Sequence, residues 1–131
     1  GQLPMYIVPQ VLTQIRDNHR IEIRNGSVMR DLLFVDDCIE AVLKLSVTNA
    51  AEDSVFNIGS GHIVSIADVA KAAVEASGQL DVEITDLEET IEYSPTAIMA
   101  DISKVNSTID WYPRTSLKDG LKKMWDSMED A

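Results

Sequence analysis

The stretch Arg30-Asp31-Leu32-Leu33-Phe34-Val35-Asp36-Asp37 constrains the fold of this chain more than any other. Leu32 to Val35 is an unbroken apolar run, long enough for a buried strand and too short for a helix of its own. Asp36 or Asp37 then offers a side-chain oxygen to the first free backbone N–H groups of a following helix. Behind that cap, Ile39, Val42, Leu43, Ser46 and Val47 recur at helical spacing and mark one face. The expected unit is a strand that runs straight into a helix, with Arg30 at its polar mouth. A guanidinium anchored there is a planar fork of donors suited to the oxygens of an anion. A salt bridge to Asp31 or Asp36 is the alternative use of the same charge.

Upstream, Val8, Val11, Leu12, Ile15 and His19 share a helical face, with Pro9 in the first turn where its missing N–H costs nothing. His19 suits a helix end, where a cation meets the macrodipole. Ile21-Glu22-Ile23 alternates like a half-buried strand, and Asn25-Gly26 is a turn signal, so Val28 to Val35 is expected to return beside Ile21 to Arg24 as a hairpin. Downstream, Val55 to Ile58 is a strand pattern that stops at Gly59-Ser60-Gly61. Ser65-Ile66-Ala67-Asp68 is a capping-box pattern for a helix burying Ile66, Val69, Ala70, Ala73 and Val74 and ending at Gly78. Val82 to Thr85 is a short strand, and Asp86 to Glu92 a loop. Asp101 to Lys104 opens a brief helix. A last helix starts at Ser116, with Asp119 three positions on, and buries Leu117, Leu121, Met124, Trp125 and Met128. The pattern predicts one α/β (mixed α+β) domain over residues 1–131, with short strands and about five helices.

Composition narrows the partners. With 22 acidic against 11 basic residues the net charge is −11, which argues against nucleic acid or an anionic membrane. The lone Cys38 excludes an internal disulfide and fits a reducing, cytoplasmic setting. Neither His19 nor His62 has ligand spacing with the other or with Cys38, and the paired Asp36 and Asp37 suit a cap better than a metal. No catalytic, cofactor or metal residue emerges. Gly59-Ser60-Gly61 could expose N–H groups to a phosphate or be a plain turn. Asn57, a polar amide within an apolar run, ties down a neighbouring loop or faces a ligand.

In order and spacing, four pieces resemble the C-terminal portion of an extended short-chain dehydrogenase/reductase of the nucleotide-sugar epimerase and dehydratase family. They are Arg30 to Asp37; Phe56-Asn57-Ile58-Gly59-Ser60-Gly61 with Val64-Ser65-Ile66; Ala100-Asp101-Ile102-Ser103-Lys104; and Trp111-Tyr112-Pro113-Arg114-Thr115-Ser116-Leu117. The resemblance implies a substrate-binding half without the Rossmann core. In it Arg30 binds the diphosphate of a nucleotide-sugar, the backbone of Ile21 to Ile23 lines base and ribose, and Asn57 lies near the nucleotide. It implies NAD(P) in a longer parent, with transient oxidation of the sugar, epimerisation or elimination, and re-reduction.

Two departures stand out. The second phosphate-binding arginine of the family's Arg-x-Gly-Asp segment has no counterpart in Ile91 to Thr96. The glycine-rich cofactor turn and the Tyr-x-x-x-Lys pair are also absent from the sequence. Hydride transfer needs both the nicotinamide and a base, so this chain alone is expected to be inactive and to bind no cofactor. Its expected partners are a nucleotide-sugar and the missing N-terminal Rossmann domain. The alternative is a non-catalytic binding or interaction module, and an apolar face left bare would let the half domain self-associate.

Overall fold

The computed structural model describes residues 6–52, 54–90 and 95–131. Its elements run α1 (Ile7–Asn18), β1 (Arg20–Arg24), β2 (Met29–Arg30), α2 (Val35–Ser46), a short 3-10 turn (Asn49–Ala51), β3 (Val64–Ser65), α3 (Ile66–Ser77), β4 (Glu83–Leu87), β5 (Ala97–Ile98), α4 (Ser103–Thr108) and α5 (Leu117–Glu129). This is a mixed α/β unit. No helix among the described residues is long and apolar enough to cross a membrane.

Helices α3 and α5 follow from their caps. Ser65 Oγ accepts the Asp68 N–H at 3.0 Å and Ser116 Oγ accepts that of Asp119 at 3.1 Å, each satisfying a donor the helix leaves open. Gly78 ends α3 with φ 70°, a left-handed conformation that costs glycine nothing. The apolar faces of α1, α3 and α5 then close over β1: Val11, Leu12, Ile15, Ile21, Ile23, Ala70, Ala73, Leu121 and Trp125 form the main core. A second, smaller core gathers Ala41, Val105, Ile109 and Trp111, flanked by Leu33, Phe56 and Ile58.

Several expectations fail here, each for a physical reason. The hairpin does not form. Asn25 does turn the chain, at φ 54° with Val28 N–H bonded to its carbonyl at 2.9 Å. However, β1 pairs in parallel with β4 over Arg20–Arg24 and Glu83–Leu87, while β2 joins a different sheet, antiparallel to β3 and parallel to β5. The turn is claimed from outside: Gly26 N–H donates to the Asp86 carboxylate, and the Gly26 and Val28 carbonyls accept from Ala67 and Ile66 at the start of α3. Those two N–H groups are open helix-start donors, so the turn caps α3 instead of closing a ribbon.

The strand is also shorter than Leu32 to Val35 predicts. β2 ends at Arg30, and Leu32 to Phe34 run on without a ladder, half-buried. Neither Asp36 nor Asp37 caps α2. The N-cap is Phe34, which offers no side-chain bond, and both acids lie in the first turn. Val55 to Ile58 is not a strand either. Phe56 and Ile58 turn into the second core while Val55 and Asn57 are exposed, so the two-residue alternation is present but no strand pairs with it. The loop expected over Asp86 to Glu92 is partly strand, since β4 extends to Leu87; Ile91 and Glu92 lie outside the described residues. The helix α2 itself forms as expected, and the face marked by Ile39, Val42, Leu43 and Val47 points to solvent, Val47 being 82% exposed; the buried side chains of this helix are Ala41 and Asp37.

Candidate functional site

Arg30 closes the short strand β2, where its backbone is held between Val64 of β3 and Ile98 of β5. Its guanidinium Nη1 donates to the carbonyls of Met29 at 2.8 Å and Pro95 at 3.1 Å.

Asp31 has another task. Its Oδ1 accepts the Ser60 N–H at 2.7 Å and the Ser60 hydroxyl at 2.5 Å; its Oδ2 accepts the N–H groups of Gly61 at 3.0 Å and Ala100 at 3.1 Å. Its own N–H donates to the Ile98 carbonyl at 3.1 Å. Burial pushes this carboxyl up, but the four donated hydrogen bonds outweigh it and hold Asp31 below the usual carboxylate range. The Gly59-Ser60-Gly61 turn therefore presents the N–H groups of Ser60 and Gly61 to an acid of the same chain. Gly59 is required by this approach: a Cβ there would sit 2.8 Å from Asp31 Oδ2.

Asp37 fixes the other end of the segment. Buried in the first turn of α2, it accepts the Thr115 N–H at 2.9 Å through Oδ2, and its carbonyl accepts the Trp111 indole N–H at 3.0 Å. Between these anchors two clefts open. The larger, about 790 Å³, is walled by Leu32, His62, Met99, Tyr112, Arg114 and their neighbours. The smaller, about 500 Å³, holds Asn57 and Asp31 with Phe56, Ile98 and Asp101. Met99 to Asp101 line both.

The structure thus brings Asn57 into the cleft that contains Asp31, the neighbour of Arg30. Asn57 is exposed there, so it does not tie down a loop as a buried amide would. Ile21 and Ile23 belong to the other sheet, with side chains in the main core. One edge of their strand pairs with β4; on the other, Gln14 bonds the Glu22 N–H at 2.6 Å and the Glu22 carbonyl at 3.2 Å. A polar groove of about 300 Å³ flanks that edge, lined by Gln10, Gln14, Asn18, Arg20, Glu22 and Arg24. Sequence reasoning missed Asp31 as an anchor and Ser60 as its partner. The available signal was a turn rich in free N–H donors together with a carboxylate just past an anchored strand.

Among the described residues no cluster of three or more His, Cys, Asp or Glu could hold a metal.

An arginine closing a short central strand, a clamped aspartate just past it, a glycine turn and two capped helices belong to a segment of the extended short-chain dehydrogenase/reductase fold. The epimerase from Bacillus cereus solved with UDP-glucuronic acid and NAD superposes with a TM-score of 0.85 at 27% identity, over 98% of this chain and 41% of that one. RMD from Pseudomonas aeruginosa, solved with NADPH, shares the fold at a TM-score of 0.87 and 22% identity, over 99% of this chain and 44% of its own. The family model for GDP-mannose 4,6 dehydratase matches residues 2–124, and the chain belongs to that family. It is 35% identical over 106 residues to CDP-paratose 2-epimerase of Salmonella typhi and 36% identical over 104 residues to GDP-L-fucose synthase 1 of Arabidopsis thaliana. These matches cover 78% and 77% of the chain and 30% of each relative, so the chain spans about a third of the curated relatives' length.

Proposed function

We propose that this chain is the nucleotide-sugar-binding portion of an NAD-dependent epimerase or dehydratase, and that Arg30 holds the substrate diphosphate. The observation that carries this reading is the seat of Arg30, a guanidinium at the end of a strand locked between two others and pinned by the next residue. Such a cation meets phosphate oxygens with little loss of side-chain freedom, and its fork can engage two at once. Asn57, exposed in the adjoining cleft, would hydrogen-bond the nucleotide. The groove beside Ile21 to Ile23 would take the base, with the Gln14 amide yielding its bonds at Glu22.

The nicotinamide chemistry belongs to the remainder of a longer protein, where a bound dinucleotide would accept and return a hydride. The residues of this chain bind and orient the sugar nucleotide. Its partner is then the Rossmann half, and the bare apolar face of α2 is the surface we assign to it. The half-buried free thiol of Cys38 fits a reducing, cytoplasmic setting.

Isothermal titration calorimetry of the chain with GDP, CDP, UDP and dTDP tests the reading. Arg30→Ala should weaken the tightest of these by roughly 1.5–3 kcal/mol, the range for hydrogen bonds to charged groups. Equal binding by variant and parent would overturn it. A second reading, a binding module without catalysis in any assembly, is favoured by the two well-capped helices α3 and α5. It would be supported if the chain binds nucleoside diphosphates and unfolds cooperatively with no Rossmann half present in its source.

A further inference from the structure

Asp31 stands where both neighbours of β2 can be reached by one side chain. Its Oδ1 holds the turn at Ser60 that leads into β3; its Oδ2 reaches Gly61 on that side and Ala100, just past β5, on the other. Its backbone N–H adds the bond to Ile98 that closes the β2–β5 ladder. The strands concerned are only two residues long, Met29–Arg30, Val64–Ser65 and Ala97–Ile98. Ladders so short set register weakly on their own. The carboxylate supplies what they lack, since charged acceptors make shorter and stronger hydrogen bonds than neutral ones.

The consequence reaches the guanidinium of Arg30. Its Nη1 donates to the Pro95 carbonyl, two residues before β5, so the register of β5 decides where that acceptor lies. A slip of β5 by one residue would remove the acceptor and turn alternate side chains to the opposite face. We infer that Asp31 is the positioning residue for Arg30, setting through β3 and β5 the direction in which the guanidinium meets a diphosphate. This rests on the role of Arg30 proposed above.

Asparagine tests the carboxylate with little change of shape. One oxygen can still accept from Ser60, but the amide NH₂ would face the N–H groups of Gly61 and Ala100, donor against donor. The experiment is a double-mutant cycle on the 131-residue chain, comparing Arg30→Ala, Asp31→Asn and the pair. The readouts are affinity for GDP, or whichever of CDP, UDP and dTDP binds tightest, and for the matching nucleoside without phosphate.

Both single variants should lose roughly tenfold or more in affinity for the diphosphate and much less for the nucleoside. The double variant should lose no more than Arg30→Ala alone, because Asp31 acts through Arg30. If Arg30→Ala binds as the parent does, the proposed function fails and this inference with it. If Arg30→Ala weakens binding while Asp31→Asn does not, or if the two losses multiply in full, Asp31 is structural only and the inference alone is overturned. Should Asp31→Asn fail to fold, Ser60→Ala removes a single donor from the clamp. It should lower diphosphate affinity about threefold in the parent and not at all in the Arg30→Ala background; an equal loss in both would overturn the inference.

Discussion

Trp111 donates its indole N–H to the backbone carbonyl of Asp37 at 3.0 Å, and the carboxylate of that same aspartate accepts the Thr115 N–H at 2.9 Å. One residue in the first turn of α2 thereby holds both ends of the segment that leads into α5. Trp111 is 1% exposed and Asp37 5%, so neither bond can be replaced readily by water. Asp37→Ala should cost about 1–3 kcal/mol, the penalty for leaving the half-buried Thr115 donor without its partner. Trp111→Phe should cost more, since it also leaves a void where the indole was. Urea midpoints at pH 7 check both; an Asp37→Ala midpoint equal to the parent's would show that Thr115 finds water instead.

The Asp31 clamp makes stability depend on acid in a known direction. Its carboxyl is held below the usual range in the fold, so the unfolded chain takes up the proton first as pH falls. The contribution is complete above the unfolded value, about 3.9, and disappears as pH drops through the lower folded value. Asp31→Asn should therefore be less stable than the parent at pH 7, and its loss of stability below about pH 4 should be shallower. Asp101, drawn down by the Ser103 hydroxyl and N–H, has the same sign in both proteins and cancels in the comparison. Parallel acid-denaturation curves for variant and parent would contradict this account.

Two glycines separate steric from conformational cost. At Gly59 an added Cβ meets Ala100 and the clamped Asp31 carboxylate, and neither can withdraw without breaking the bonds just described. Gly59→Ala should cost about 1–3 kcal/mol through overpacking. At Gly78 nothing lies within 4 Å of the added carbon, but φ is +70°. Gly78→Ala should cost about 1 kcal/mol from backbone strain alone. Thermal unfolding of the two variants checks the order, and a larger loss at Gly78 would reverse it.

What the sequence reveals and what it hides divide along one physical line. Local chemistry is visible: Ser65, Ser116 and Gly78 mark their helix ends because a cap is settled within four residues. The burial of Ile66, Val69, Ala70 and Ala73 follows from period alone. Partners distant in sequence are hidden. Asn25-Gly26 signals a turn correctly, yet Asp86 and Ala67 decide what the turn does. Val55 to Ile58 has the composition and alternation of a strand, but a strand also needs a neighbour with free N–H and C=O groups. The apolar period of α2 shows which face is greasy and leaves open what covers it. At the site, Arg30 is recognisable as an anchored cation, whereas the Asp31 anchor needs Ser60 and Ala100 brought to it by the fold.

The uncovered face of α2 yields the last prediction. Val35, Ile39, Val42, Leu43 and Val47 are all more than half exposed. Scattered apolar residues on a surface need no explanation, but four on one helix and a fifth at its C-cap form a patch of the kind that marks an interface. The match to the Bacillus cereus epimerase covers 98% of this chain and 41% of that protein, and under the function proposed above the remainder of a longer protein would cover this helix. Ile39→Ser, Val42→Ser and Val47→Ser, the components of a triple variant, should each leave the unfolding free energy of the chain, measured in urea, within about 0.5 kcal/mol, as surface changes do. The same triple variant in a full-length relative should lower the melting temperature and loosen the cofactor-binding half. Sedimentation of the isolated parent chain gives the complementary result: association that rises with concentration and vanishes in the triple variant shows the face to be sticky when bare. A triple variant that unfolds the isolated chain would instead place this face in the chain's own core.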